Sequence, residues 1–250
     1  MKENNRKCTG DGNDRSILIN FVLDKSGSMS SVRDATISGF NEFKNDQAIE
    51  EGKAYFTLTL FDTEFDTVAK AVPVSEVPDL DYATYRPGGC TALYDAIGYT
   101  LRITDDFVAV RKPDQVLFVV MTDGQENSSC EFGHRQIFEM IRDRQKLADY
   151  EFIYLGANQD SYATSQDIGL RVGHSVDYAS TPEGSKEVLR RASRNVSAHR
   201  RHAEQQREDF FSPELETLGE ISPAAWKAMD EAERKRHLDE GKRSSGSRTR

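Results

Sequence analysis

Short apolar runs that alternate with segments of helical periodicity constrain the fold of this 250-residue chain more than any other feature. The two strongest runs are Ile17–Leu23, interrupted only by Asn20, and Gln115–Met121. Runs of this length and composition are typical of strands that are buried on both faces of a parallel sheet. Strands that alternate with helices therefore predict a three-layer α/β domain with a mostly parallel sheet and right-handed crossovers.

Weaker segments of the same pattern complete the predicted order of elements. Further strands are expected at Ala54–Phe61, Glu64–Val74, Phe152–Leu155 and near Leu170–Val176. Apolar residues at helical spacing predict helices within residues 32–43, 92–103, 137–147, 161–168 and 182–199. The short connection between the second and third strands predicts an antiparallel hairpin at one edge of the sheet. Ligands of such sheets bind beyond the carboxyl ends of the strands, where the strand order reverses.

Composition divides the chain into three parts. Residues 1–15 are expected to form a flexible leader, residues 16–200 the domain, and residues 201–250 a polar, partly disordered tail. The tail contains one candidate helix at Pro223–Leu238, which Ser222 could cap. The formal net charge is −9, and the acidic excess lies in the domain while the tail is mildly basic. This balance argues against nucleic-acid binding by the surface as a whole.

The search for targeting signals and the number of cysteines both bear on the cellular compartment of the protein. No apolar run approaches the roughly 18 residues of a membrane span, and the first 16 residues lack the apolar stretch of a secretory signal. We therefore expect a cytoplasmic protein with no membrane partner. The three cysteines, Cys8, Cys90 and Cys130, are an odd number without CxxC spacing. This argues against a disulfide framework and against a zinc knuckle.

Oxygen-bearing side chains are predicted to converge at the carboxyl edge of the sheet. Three of them leave the first strand at alternating positions in DKSGS, one follows two glycines in GGCT, and one lies in TDG after QVLFVVM. These residues are Asp24, Ser26, Ser28, Thr91 and Asp123. Hard oxygen donors suit Mg²⁺, Mn²⁺ or Ca²⁺ better than zinc or copper. The sequence therefore predicts one divalent cation at this edge.

Two simpler interpretations of the first loop compete with a metal site. A loop such as DKSGS is by itself usually a turn with capping hydroxyls. An EF-hand would place its ligands at the same alternating positions, but Met29 occupies the required glycine position and Ala35 replaces the bidentate glutamate. The combination of three loops, rather than one, therefore carries the prediction.

The combination of DxSxS, a glycine-rich loop with a threonine, and TDG after a buried strand resembles the von Willebrand factor A (VWA) domain with its metal-ion-dependent adhesion site (MIDAS). The resemblance covers about residues 16–200. It implies a Rossmann-like three-layer fold with an antiparallel edge strand. It also implies that the three hydroxyl groups coordinate a Mg²⁺-type ion, and that the two carboxylates do so directly or through water. The helix at 182–199 would shift with ligand state in some relatives.

The resemblance also implies a function. A partner protein would supply an Asp or Glu side chain to the ion, so that the chain acts as a binding module or adaptor without catalytic residues. Cytosolic members of the family often assist AAA+ ATPases or stress-response assemblies, which are therefore candidate partners. Two alternatives stay open: a Mg²⁺-dependent phosphoryl or ester hydrolase, and a scaffold that binds nucleic acid through the basic tail. Against the hydrolase, the sequence contains neither a DxDxT nucleophile nor a GxxxxGK[ST] loop.

Several residues around the predicted site have alternative roles. Arg86 could steer acidic ligands or be an ordinary surface arginine. Gln125, Glu126 and Asn127 could shape specificity or be solvent-facing turn residues. Asp62 and Asp66 are most simply the solvated tip of a hairpin.

Overall fold

A six-stranded sheet with helices on both faces forms the part of the chain that the computed structural model describes, residues 15–147, 149–157, 161–171, 173–201 and 210–211. The strands are β1 Ser16–Asp24, β2 Lys53–Phe61, β3 Phe65–Pro73, β4 Gln115–Thr122, β5 Tyr150–Ala157 and β6 Ser175–Tyr178. The helices are α1 Arg33–Ile49, α2 Leu93–Arg111, α3 His134–Arg144, α4 Ser161–Asp167 and α5 Pro182–Arg201. Residues 1–14 of the predicted leader and the candidate helix at Pro223–Leu238 lie outside the described residues.

The sheet has the strand order β3-β2-β1-β4-β5-β6. All neighbouring strands are parallel except β2 and β3, so the predicted antiparallel hairpin at the edge is confirmed. Strands β2 and β3 lie on one side of β1, and β4, β5 and β6 lie on its other side. The strand order therefore reverses between β1 and β4. Leu23 pairs with Met121 in this register, which brings Asp24 and Asp123 to the same edge. The reversal point is where open α/β sheets bind ligands.

Apolar side chains fill both faces of the sheet because helices cover both. On one face α1 and α5 pack against the strands, with Phe40, Phe43 and Leu189 fully buried. On the other face α2 and α3 contribute a second core. The one polar interruption of β1, Asn20, is buried but accepts a hydrogen bond from the Thr104 hydroxyl at 3.0 Å. A buried amide with such a partner is tolerated in an apolar strand.

The last strand lies later in the chain than the sequence suggested. The apolar residues near Leu170–Val176 predicted a strand there, but β6 begins only at Ser175. Gly169 and Gly173 have φ values of +91° and +83°, in the left-handed region, so the chain turns instead of extending. Leu170 lies in this turn, and its side chain is buried. Its apolar character therefore reflects burial and not strand geometry.

The core also extends beyond the predicted domain boundary at residue 200. Phe210 and Phe211 are 1% and 6% exposed, although the sequence placed them in the polar tail. The Phe211 amide donates to the Gly173 carbonyl at 3.1 Å, and the Asn195 side chain donates to the Phe210 carbonyl at 3.3 Å. Two residues of the stretch that the sequence assigns to the tail therefore belong to the hydrophobic core. Two aromatic residues in a polar stretch have no periodicity to reveal that they pack against α5.

No helix in the described ranges is long and apolar enough to cross a bilayer.

Candidate metal centre

Asp24 is the last residue of β1 and its side chain is completely buried. The Ser26 amide donates to Oδ1 at 2.6 Å, and the Thr122 hydroxyl donates to Oδ2 at 2.5 Å. Burial raises the pKa of Asp24 from 3.8 to about 6, because removal from water disfavours the charge more than these hydrogen bonds favour it. Within the described residues, no cationic side chain forms an ion pair with this carboxylate.

The two serines link the β1 loop to the β4 loop. The hydroxyl oxygens of Ser26 and Ser28 lie 3.1 Å apart, and Ser28 donates to Oδ1 of Asp123 at 2.5 Å. Ser26 is buried, whereas Ser28 is exposed at the start of the short 3₁₀ helix Gly27–Val32. The DKSGS loop therefore presents one buried and one exposed hydroxyl beside the two carboxylates.

Asp123 follows β4 and is only partly buried. Its Oδ2 accepts a hydrogen bond of 3.2 Å from the hydroxyl of Ser180, which lies between β6 and α5. Ser28 and Ser180, from two different loops, thus each hold one of the two carboxylate oxygens. Ser180 is not predictable from the sequence, because nothing in its local pattern distinguishes it from any other loop serine.

Thr91 reaches the same volume from the third loop. Its amide donates to the Asn127 side chain at 2.9 Å, and the Asn127 amide donates to the Thr91 carbonyl at 3.0 Å. A Cβ placed on Gly124 would lie 2.9 Å from Oγ1 of Thr91 and 3.8 Å from both Oδ2 of Asp24 and Oγ of Ser28. Oxygen donors from three different loops therefore face one small volume, which the glycine leaves open.

Backbone contacts fix the glycine-rich loop against the DKSGS loop. The Gly27 amide donates to the Gly89 carbonyl at 3.2 Å, and the Gly88 amide donates to the Lys25 carbonyl at 2.8 Å. Gly89 has a φ of +67°, and a Cβ there would meet the Thr63 hydroxyl at 2.7 Å. Cys90 donates its amide to that same hydroxyl, and its thiol is free and exposed. The thiol before Thr91 is accordingly not required to hold the loop.

Two of the rim residues brace the loops of the site through hydrogen bonds. Glu126 accepts from the amides of Ser128 and Ser129 with Oε1, and from the Tyr94 amide at the start of α2 with Oε2. Asn127 and Gln125 are both exposed, but Asn127 holds Thr91 as described. The structure therefore gives Glu126 and Asn127 a positioning role. At the hairpin, Asp62 forms an ion pair with Lys25, and Asp66 is exposed.

The donor set fits a hard divalent cation. It combines two carboxylates with three hydroxyls, and no group of three or more His, Cys, Asp or Glu side chains that could hold a metal occurs in the described part of the chain. Tyr178, at the end of β6, has a buried hydroxyl without a hydrogen-bond partner among the described residues. Burial raises its pKa, and the carboxylates of Asp123 and Asp24 raise it further. A buried carboxylate without a cationic partner and a buried hydroxyl without an acceptor both favour an ion and its water here.

The arrangement of strands, helices and loops defines a class of fold: the chain has the von Willebrand factor A fold. The pilus adhesin SpaC from Lactobacillus rhamnosus GG is similar with a TM-score of 0.58 at 14% identity, over 74% of this chain and 30% of that one. The vWF domain of the type V pili tip protein Mfa5 from Porphyromonas gingivalis gives a TM-score of 0.56 at 9% identity, over 74% of this chain and 96% of that one.

A third similar structure holds a metal. Proximal thread matrix protein 1 from the mussel byssus, with a zinc-occupied MIDAS motif, gives a TM-score of 0.55 at 13% identity and 72% coverage of this chain. The chain spans 48% of the length of that protein. No protein-family model matches the sequence, and no curated protein matches it. At these identities the similarity establishes the fold.

Proposed function

We propose that this chain is a metal-dependent protein-binding module. Five side chains would hold a Mg²⁺-type ion, and an Asp or Glu of a partner protein would complete its coordination. These residues are Asp24, Ser26, Ser28, Thr91 and Asp123. The ion supplies positive charge and an open coordination position to an incoming carboxylate.

The observation that carries the proposal is the buried, uncompensated carboxylate of Asp24. A buried charge is normally paired or coordinated to a metal. Its Oδ2 lies near Oγ1 of Thr91 and Oγ of Ser28 around the space beside Gly124, and that geometry suits an ion with oxygen ligands. The zinc-occupied motif in the byssus protein and the adhesin function of SpaC lend support by analogy.

A binding role is favoured over a hydrolytic one by the chemistry around the site. Phosphoryl or ester hydrolysis beside a metal needs a nucleophile or general base and a cationic clamp for the leaving charge. The nearest lysine, Lys25, is already paired with Asp62. Ser28 donates to Asp123, but this carboxylate is itself one of the proposed metal ligands and so is not a free general base. We therefore propose that the module is not an enzyme.

The identity of the ion and of the partner belongs to the same proposal. Mg²⁺ is our first choice and Mn²⁺ or Ca²⁺ the next, since all three prefer oxygen ligands. A cytoplasmic location remains a prediction from the sequence. AAA+ ATPases and stress-response assemblies remain candidate partners by family analogy, and the basic tail remains outside this proposed site.

Isothermal titration calorimetry with Mg²⁺ and Mn²⁺ tests the proposal directly. Wild type should take up one ion, and Asp24→Ala should take up none. Asp106→Ala removes an exposed carboxylate on α2 and is the matched control, which should bind like wild type. Absence of uptake by the wild-type protein would refute the proposal. Mg²⁺-dependent turnover of a generic phosphate or ester that Asp123→Ala abolishes would instead establish the hydrolase alternative.

A further inference from the structure

Two buried tyrosines beside the candidate metal centre differ in what their hydroxyls bind. The hydroxyl of the fully buried Tyr85 donates to the backbone carbonyl of Asp24 at 2.6 Å. Tyr178, the last residue of β6, is 8% exposed, and no described residue forms a hydrogen bond with its hydroxyl. A buried hydroxyl in this state costs free energy, and such groups are nearly always paired with protein or with ordered water. The hydroxyl of Tyr178 therefore points to a partner from outside the chain.

Strand register places Tyr178 next to the metal centre. Tyr178 pairs with Ala157 at the end of β5. The preceding residue of β5 pairs with Thr122 of β4, so Tyr178 lies level with Asp123, the residue that follows Thr122. Two strand spacings separate the two backbones, about 10 Å, which a tyrosine side chain and a carboxylate can bridge between them. Two residues after Tyr178, the hydroxyl of Ser180 already contacts Asp123 at 3.2 Å.

The two carboxylates of the site act on this hydroxyl without binding it. Burial raises the pKa of Tyr178, and the charge of Asp123 raises it further, followed by that of Asp24. The phenol is therefore neutral and keeps its proton. Each of the four carboxylate oxygens already accepts a hydrogen bond from another donor. Tyr178 is accordingly close to the two carboxylates but is not needed to hold them in the metal-free protein.

The coordination of a Mg²⁺-type ion leaves a place for one water in this site. Such an ion is octahedral and has six positions. The three hydroxyls, Asp24 and the carboxylate of the partner would fill five of them. Direct contact suits Asp24, because its buried charge has no cationic partner among the described residues, whereas Asp123 is partly exposed and accepts a hydroxyl on each oxygen. Asp123 would then act through a water in the sixth position.

We infer that Tyr178 is a positioning residue of the metal centre, whose hydroxyl holds the ion-bound water through which Asp123 acts on the ion. This water gives a lone pair to the ion, one proton to Asp123 and the other to the phenol oxygen of Tyr178. The ion, Asp123 and Tyr178 thus supply the roughly three partners that a buried water usually has. The inference rests on the proposed function, because the ion comes from it.

The variant Tyr178→Phe of the full chain tests this inference with two measurements that should not fall together. Phenylalanine keeps the ring and removes only the hydroxyl. Calorimetric titration should show that Mg²⁺ binds about 10- to 100-fold more weakly, the range for groups that hold the ligands of a metal in place. The thermal midpoint in EDTA should stay the same or rise, because the variant removes a buried hydroxyl that has no partner in the described protein.

Two tyrosines provide the same chemical change in other surroundings. Tyr85→Phe removes a hydroxyl that does have a protein partner, so its thermal midpoint in EDTA should fall below that of wild type. Tyr150→Phe removes a hydroxyl at the start of β5, at the opposite edge of the sheet, and should bind Mg²⁺ like wild type. A loss of Mg²⁺ affinity in Tyr150→Phe as large as in Tyr178→Phe would overturn the inference.

The outcomes distinguish the inference from the proposed function. If wild type and Tyr178→Phe bind Mg²⁺ equally well, the role of Tyr178 is overturned and the metal-dependent module stays intact. If the midpoint of Tyr178→Phe in EDTA falls as far as that of Tyr85→Phe, the hydroxyl serves the metal-free fold, and the inference is again overturned. Absence of Mg²⁺ uptake by wild type overturns both the inference and the proposed function.

Discussion

The two carboxylates of the candidate metal centre lie at the ends of neighbouring strands but in contrasting environments. Asp24 is completely buried, and its partners are the amide of its own loop and Thr122. Asp123 is partly exposed, and serines from two other loops hold its oxygens. Burial therefore disfavours the charged form of Asp24, and a bound cation would offset that cost. Asp123 is instead held by two separate hydroxyl contacts, which substitutions can remove one at a time.

Removal of either carboxylate should have the largest effect on metal binding. Asp24→Ala should weaken Mg²⁺ binding by more than about a hundredfold, beyond the 10- to 100-fold typical of supporting residues. Asp123→Ala should weaken it strongly as well, but only Asp24→Ala should also change the stability of the metal-free protein. Calorimetry and thermal unfolding in EDTA measure the two effects. Equal changes in stability for both variants would contradict the contrast.

The pH dependence of stability should differ between wild type and Asp24→Asn in EDTA. Because the pKa of Asp24 is about 6 in the folded protein against 3.8 ordinarily, the folded state holds this proton more tightly. The stability of wild type relative to the variant should therefore fall as the pH rises from about 4 to about 6, and stay constant above. The shift corresponds to about 3 kcal/mol, an upper estimate for a buried group. Urea unfolding of both proteins across this range measures it.

The opposite sign would show that Asp24 is stabilised as a carboxylate without metal. In that case the relative stability of wild type would rise with pH between 4 and 6. The variant Asp123→Asn is the control in the same buffers.

Gly124→Ala tests the volume that the oxygen donors share. The new methyl group would lie 2.9 Å from the Thr91 hydroxyl, closer than such contacts allow, while the backbone at Gly124 is not in the left-handed region. Mg²⁺ affinity should fall on the order of 10- to 100-fold with little change in folding. Gly133→Ala, where a Cβ meets nothing within 4 Å, is the matched control for calorimetry. Unchanged affinity in Gly124→Ala would mean that the ion binds elsewhere.

Ser180→Ala should have the smallest effect, because it removes only one hydrogen bond of 3.2 Å to Asp123. We expect Mg²⁺ affinity to fall by no more than about tenfold, at the low end of the range for residues that orient a ligand. Ser180→Thr keeps the hydroxyl and should restore the affinity measured by calorimetry. A loss in Ser180→Thr as large as in Ser180→Ala would assign the effect to loop packing instead.

Much of the fold was predictable because its determinants are local. The continuous apolar runs of β1 and β4 indicate strands that are buried on both faces, and the short connection before β3 indicates a hairpin. The sequence did not reveal burial where burial does not follow the period of a helix or a strand. Leu170 is buried in a turn, and Phe210 and Phe211 join the core from a stretch of polar sequence. None of the three belongs to a helical or strand pattern of apolar residues that would predict its burial.

The candidate site likewise contains residues that the sequence predicts and residues that only the structure reveals. The sequence by itself determined which oxygen donors end the strands, because Asp24 and Asp123 follow apolar runs that are typical of buried strands. That these two strands are neighbours came from the structure. Only the tertiary structure decided that Ser180, Tyr178 and Tyr85 surround them, and that Glu126 and Asn127 hold the loops through hydrogen bonds. These residues come from loops and strand ends far apart in the chain, where strand register and loop paths set the contacts and no local periodicity records them.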